Sequence, residues 1–223
     1  MSVKQLIITI DGPSGSGKST ISRLLAQRMR ATYLDTGAMY RAVGLLAHRQ
    51  AIDLSDDRAV QQLMASLELQ LLPGLADVQV IANGEDVSEA IRTADMGMMA
   101  SKVSALGPVR QALTSLQQAM AAKQSVVVEG RDMGTVVFPE AAHKFFLIAT
   151  PGVRARRRTE QLQEKGLSAN YTEILTQITQ RDQDDSTRSL APLKAAPDAV
   201  IIDSSAISID QVVQLMVDTI SKP

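Results

Sequence analysis

The residues with the most explicit chemistry are Gly12-Pro13-Ser14-Gly15-Ser16-Gly17-Lys18-Ser19, with Thr20 next. Their spacing is G-x-x-x-x-G-K-[ST], the pattern of a loop whose successive backbone N–H groups face one anion. A helix opening at the end of the loop adds unsatisfied donors and a positive dipole end. Lys18 supplies a cation for the β- and γ-phosphates, and Ser19 a hydroxyl for Mg²⁺. Just before the loop, Leu6-Ile7-Ile8-Thr9-Ile10 is a short β-branched apolar run that reads as a buried strand. Strand, loop and helix in that order give the motif its required context, and the expected ligand is a nucleoside triphosphate.

Other candidates lie where further strands end, which is where open α/β sheets bind ligands. Asp35-Thr36-Gly37-Ala38-Met39-Tyr40-Arg41 follows a brief extended piece. Thr36 and Gly37 offer a hydroxyl and a bare backbone at a helix start, and Arg41 one turn on could clamp a phosphate bidentately. A capped helix with a solvated arginine is the equal alternative. Gly130-Arg131-Asp132 follows the apolar Val126-Val127-Val128-Glu129. Glu129 ends its strand as a Walker-B acid does, and is a candidate to orient the water shell of Mg²⁺. An ordinary strand-end carboxylate is the other reading. Arg154, Arg156, Arg157 and Arg158 crowd a helix start after Pro151-Gly152. Guanidinium groups there repel one another and sit at the wrong end of the helix dipole. Local stability gives no reason for them, whereas polyphosphate charge in a transition state does. A solvated basic face is the alternative. Arg181, Asp182, Asp184, Asp185 and Arg188 form a second mixed cluster; Arg181, Asp185 and Arg188 share a face if the helix persists that far.

The elements that position these groups alternate. Helical spacing predicts helices at about 19–29, 38–49, 56–66, 95–105, 108–123, 151–164, 172–183 and 209–220. Apolar runs at 125–129, 144–149 and 199–203 read as further buried strands. Strand and helix in alternation imply a parallel sheet covered on both faces. Short strands at 67–72, 78–81 and near Val87 interrupt the pattern, separated by Pro73-Gly74 and Asn83-Gly84. Asn-Gly between apolar runs is a strong hairpin signal, so a strand-rich insertion is expected at about 63–93.

The chain has 223 residues, more than one average domain and fewer than two. One core with a sizeable insertion fits that length. A formal net charge of -1 supplies no basic excess for nonspecific nucleic-acid binding, and 3% aromatic residues are too few for a base-stacking platform. Cysteine is absent, which excludes disulfides, thiolate metal sites and cysteine nucleophiles. The N-terminal apolar run is too short for a signal peptide, and no stretch approaches the ~18 apolar residues of a membrane span. A cytoplasmic protein without nucleic-acid or membrane partners is expected, and a monomer by default.

A phosphate loop fixes nucleotide binding, not the reaction. No Asn-Lys-x-Asp or switch-like Asp-x-x-Gly motif of a GTPase is evident. The chain carries its own arginines, so a kinase is favoured over a motor that borrows an arginine finger. The competing readings are a small-alcohol kinase of the shikimate or gluconate type, with Asp35 as base, and a nucleotide-binding switch.

Five stretches in order, IDGPSGSGKST, LDTGAMYRA, EGRDMGTVVFP, the RARRR run and RDQDDSTRSLAPL, resemble bacterial-type cytidylate kinases over nearly the whole chain. The resemblance implies a P-loop nucleoside monophosphate kinase fold. That fold has a five-stranded parallel sheet with helices on both faces, a mobile lid, and a small antiparallel sheet inserted in the monophosphate-binding domain. It implies one kinase domain over 1–223, with a core at 1–35 and 107–223, a monophosphate-binding region at 36–106 and a lid at 151–170. It implies ATP and Mg²⁺ as cofactors and CMP and dCMP as acceptors. Gly12 to Thr20 would hold ATP, with Ser19 and Glu129 serving the metal. Arg41 and Arg131 look like monophosphate ligands. Ser101, Arg110 and Asp132 look like cytosine readers. Tyr40, Arg181, Asp185 and Arg188 resemble residues around the sugar and acceptor phosphate, while Thr36 and Gly37 are substrate-binding candidates from their place at a helix start. Lys18, Arg131, Arg154, Arg157, Arg158 and Asp185 would carry catalysis. Gln118 departs from the family's usual arginine, and Met96-Gly97-Met98-Met99 is unusually rich in methionine.

Overall fold

The computed structural model describes residues 5–73 and 78–222. Five strands form one sheet: β1 (Ile7–Asp11), β2 (Thr32–Asp35), β6 (Val126–Gly130), β7 (His143–Ile148) and β8 (Val200–Asp203). Their order is β2-β6-β1-β7-β8, with parallel pairing of β1 to β6, β1 to β7 and β7 to β8. The expected five-stranded parallel sheet is present. The phosphate-loop strand β1 lies at its centre, so the loop emerges between two hydrogen-bonded neighbours.

The chain divides into two compact units. The first comprises residues 1–33 and 121–223, the second 34–120. In the first, α1 (Lys18–Met29) and α8 (Ile209–Ile220) close over the sheet. Ile8, Ile10, Val127, Phe145 and Leu147 of the strands pack with Ile21 and Leu25 of α1 and Val212, Val213 and Met216 of α8. Each of these side chains is buried, and full burial of one such side chain stabilises by about 1.5–3 kcal/mol. The sequence dictates where α8 starts: Ser208 caps it, and Gln211 closes a capping box by accepting from the Ser208 N–H. α6 (Pro151–Glu164) opens with proline in its first turn behind a Thr150 cap, and pairs with α7 (Tyr171–Thr187) through Ala155, Ile174 and Ile178. A single π-helical turn, Met133–Val137, follows β6. The sequence signals for strands and helices do not reveal it, because one turn has no periodicity to read.

In the second unit, α2 (Thr36–Arg49) is almost wholly buried on one side and packs against α4 (Ala94–Ser104). A Cβ at Gly44 would fall 2.9 Å from the Cβ of Met99, so the glycine lets the Met-rich segment approach closely. α3 (Asp57–Ala65) is capped by Asp56, and α5 (Gly107–Ala121) follows α4. The small antiparallel sheet expected here is formed by β3 (Leu69–Pro73), β4 (Val78–Ala82) and β5 (Glu85–Asp86). Asn83 and Gly84 turn the hairpin with φ of 49° and 81°, the left-handed values that an Asn-Gly turn supplies. The expected strand near Val87 lies slightly earlier, at Glu85–Asp86. The Pro73-Gly74 separation runs into residues 74–77, outside the described residues.

Candidate active site

In the first unit, the loop from Gly12 to Lys18 leaves β1 at the sheet centre. Gly12 sits at φ 148°, and a Cβ there would fall 2.1 Å from the Leu147 carbonyl oxygen of β7. No other residue lets the chain leave the strand so close to its neighbour. Lys18 is 6% exposed and folds back across the loop: its Nζ donates to the Pro13 carbonyl at 2.6 Å and to Ser16 Oγ at 3.4 Å. Burial, and then the positive charges of Arg131 and Arg181, push the ammonium well below its ordinary pKa, while Glu129 and Asp11 oppose the shift. An anion bound at the loop would oppose both the burial and the neighbouring cations.

Three guanidinium groups converge on one buried carboxylate. Arg131 Nε donates to Asp185 Oδ2 at 3.0 Å, Arg181 Nε lies 3.9 Å from the same oxygen, and Arg188 Nη1 lies 4.0 Å from Oδ1. Arg188 Nη2 is also 3.8 Å from Asp132 Oδ1. Burial alone would raise the Asp185 carboxyl, but Arg131, Arg181 and Arg188 hold it below the usual carboxylate range. α7 does persist through Asp185, and Arg188 caps it, so the pairing condition set by the helical spacing is met. Glu129 is 4% exposed at the end of β6 and accepts a hydrogen bond from the Tyr33 hydroxyl. Ser19 is exposed at the start of α1.

The arginine run differs from expectation. Arg154 is 2% exposed and its guanidinium has partners within the fold: Nε donates to the Ala149 carbonyl at 2.9 Å, and Nη1 donates to the Ser14 carbonyl and to Asp182 Oδ1, each at 3.0 Å. It thus ties α6 to α7 and to the phosphate loop, and a Cβ on Gly15 would sit 3.2 Å from its own Cβ. Arg157 donates to the Ser204 hydroxyl at 3.2 Å and to the Ser204 carbonyl. Tertiary structure thus supplies a reason for Arg154 and Arg157 that local stability does not. Arg156 is exposed, and Arg158 half-buried. The partner of Arg154 is 28 residues away, so no local spacing announces it.

In the second unit, Asp35 caps α2, its Oδ1 accepting from the Ala38 N–H at 2.8 Å. Its Oδ2 accepts from Arg41 Nη2 at 3.1 Å. Thr36 is buried and Gly37 half-buried at the start of that helix. Arg110 is 7% exposed, donates to the Ser104 carbonyl at 3.3 Å, and lies with its guanidinium carbon 5.9 Å from the Tyr40 ring centre, within cation–π range. Ser101 is on α4, its carbonyl accepting from the Ser104 hydroxyl at 2.8 Å.

The sequence reading passed over two partners of these groups. Asp11 ends β1 and accepts from two backbone N–H groups after Asp132; an acid closing an apolar strand immediately before a phosphate loop is the signal that could have found it. Tyr33 bonds Glu129 from 96 residues away, and no signal in the sequence pairs them.

A family model described as Cytidylate kinase matches residues 8–222. A cytidylate kinase of Citrifermentans bemidjiense is 48% identical over 217 residues, covering 97% of this chain and 93% of that relative. One from Azotobacter vinelandii is 47% identical over 223 residues, covering 99% and 97%. Among solved structures, a protein from Eubacterium ventriosum aligns over 98% of this chain and 100% of its own, with a TM-score of 0.52 and 13% identity, a likeness of fold alone.

Proposed function

This chain belongs to the cytidylate kinase family, and we propose that it transfers the γ-phosphoryl group of ATP to CMP and dCMP, giving ADP with CDP or dCDP. The observation that carries this reading is the family match over residues 8–222, borne by a unit in which the phosphate loop is accompanied by Arg131, Arg181 and Arg188 gathered on Asp185. The lysine of the triphosphate loop feels the arginines assigned to the acceptor phosphate, as it must if donor and acceptor phosphates meet there.

Gly12 to Thr20 hold the donor, with backbone N–H groups on its phosphates and Lys18 on the β/γ end. Arg131 and Arg41 hold the CMP phosphate. Asp132, Arg110 and Ser101 read cytosine, whose edge offers an amino donor beside two acceptors; a carboxylate, a guanidinium and a hydroxyl complement it. Tyr40, Thr36, Gly37, Arg181, Asp185 and Arg188 hold the sugar and phosphate. Arg154, Arg157 and Arg158 belong to the lid at 151–170; Arg154 acts there through its hold on Ser14.

The nucleophile is an anionic phosphate oxygen, so no strong general base is needed. What must be supplied is positive charge, alignment and exclusion of competing water. The donor set suits Mg²⁺, which keeps several waters and needs few protein ligands. Ser19 offers a hydroxyl, and the buried Glu129 carboxylate, held by Tyr33, orients water. Bound Mg²⁺ would neutralise phosphate charge.

Asp35 does not suit the base role of a small-alcohol kinase, since one oxygen caps α2 and the other pairs with Arg41. Among the described residues no helix is long and apolar enough to cross a membrane. We place the enzyme in the cytoplasm as a monomer.

A substrate panel tests the reading: ADP release from ATP with CMP, dCMP, UMP, AMP and shikimate as acceptors. CMP and dCMP should give the highest kcat/KM. Preference for shikimate, or ATP binding with no acceptor-dependent turnover, would refute it.

A further inference from the structure

Asp11 has no role in the reaction as derived above, yet it occupies a costly position. It is the last residue of β1, directly before Gly12, and is 3% exposed. Burial raises its pKa to about 6, against the opposing pull of two backbone N–H groups. Those N–H groups belong to Met133, at 2.9 Å from Oδ1, and Gly134, at 2.8 Å from Oδ2. Both lie in the π-helical turn that directly follows Gly130-Arg131-Asp132.

The turn is held elsewhere as well. The Asp132 carbonyl accepts from the Val136 N–H at 2.9 Å and the Val137 N–H at 3.2 Å. A Cβ at Gly134 would lie 3.1 Å from Thr9 Oγ1 and 3.3 Å from Lys144 Cδ, so the turn seats against β1 with no room to spare. Met133 is fully buried. One carboxylate with an oxygen on each of two consecutive N–H groups fixes orientation as well as distance.

We propose that Asp11 is a positioning residue. It sets Arg131 and Asp132 in register with the strand that delivers the phosphate loop, and thereby sharpens the choice of CMP over UMP. The inference rests on the assignment of Arg131 and Asp132 to the pyrimidine monophosphate. Asp11 touches no substrate and acts through the Met133–Gly134 backbone. Asparagine at this position would keep one acceptor oxygen and set an NH₂ donor against the second N–H, so half of the anchor is lost.

The test compares wild type with Asp11→Asn by kinetics and by hydrogen exchange. KM for CMP should rise about tenfold and the CMP/UMP ratio of kcat/KM fall by a similar factor, the scale of one lost buried hydrogen bond. KM for ATP should move less than about threefold, and amide exchange at 133 and 134 should quicken. An unchanged CMP/UMP ratio, an effect confined to ATP, or unchanged exchange at those amides would overturn the proposal. If Asp11→Asn does not fold, Gly134→Ala presses the same turn against Thr9 from the other side, and an intact CMP/UMP ratio there overturns it equally. A wild type indifferent to CMP over UMP would instead sink the Asp132 assignment. The exchange arm would still decide whether Asp11 holds the turn.

Discussion

Arg131 Nε donates to Asp185 Oδ2 at 3.0 Å across 54 residues of sequence. That bond joins the end of β6 to the last turn of α7, and Arg181 and Arg188 gather on the same carboxylate. With Asp132 also beside Arg188, three cations face two acids, and the cluster keeps a surplus of positive charge. Fixed charge that needs no rearrangement when the reaction begins is worth more than charge recruited from solvent.

Replacing that acid removes the shared counter-charge. Asp185→Asn should raise KM for CMP about tenfold or more, because the arginines lose their common anchor. The folded-state pKa of Asp185 is depressed. Its contribution to stability is therefore present above the unfolded value near pH 4, and is lost as pH falls through the folded value. Thermal unfolding of both proteins from pH 7 to pH 3 checks this: the advantage of wild type over Asp185→Asn should shrink below about pH 4.

Asp11 carries the opposite sign. Its folded pKa of about 6 lies above the ordinary value of 3.8. Between those two values the folded state binds a proton that the unfolded state does not, so stability falls as pH rises through the window. The charged groups bearing on it are Asp132, which raises its pKa, and Lys18, which lowers it. Relative to wild type, Asp11→Asn should gain stability between pH 4 and pH 6, up to about 3 kcal/mol on the scale of the shift. Parallel melting profiles across that range would contradict the assignment.

The Arg154–Asp182 pair is a structural clamp. Arg154 is 2% exposed and Asp182 24% by side chain. Removing the acid alone leaves a buried guanidinium without its charge partner, which costs about 3 kcal/mol. In a chain of this size that lowers Tm by about 6–12 °C. Asp182→Ala should show this loss. Arg154→Met combined with Asp182→Leu should recover much of it, while KM for ATP rises, since Ser14 of the phosphate loop also loses its contact with Arg154.

Lys18→Ala should lower kcat by at least about a hundredfold, the usual scale for one preorganised charge on a transferring phosphoryl group. It should leave the far-ultraviolet circular dichroism unchanged. Turnover within a few-fold of wild type would remove Lys18 from the reaction.

Local rules carried much of the fold. α6 and α8 run over the residues that their signals predict, since a proline in the first turn and a capping box act within four residues. The phosphate loop was legible for the same reason: strand, glycines and Lys-Ser are contiguous. The partners that hold the site are remote in sequence. Tyr33 and Glu129 are 96 residues apart, Asp11 and Met133 are 122, and Arg154 and Ser14 are 140. Which acid meets which arginine is decided by how separate elements pack, as where α6 meets α7 in the Arg154–Asp182 pair, and no period within one segment encodes that packing. Arg154 shows the consequence: counted by local charge it looks repelled, yet tertiary structure gives it a carboxylate and two carbonyls.

Phosphorus NMR of the enzyme with ATP, Mg²⁺ and CMP tests the central claim most directly. The resonances of CDP should grow in step with those of ADP, one for one, with little inorganic phosphate. ADP appearing with inorganic phosphate in place of CDP would contradict phosphoryl transfer to the nucleotide.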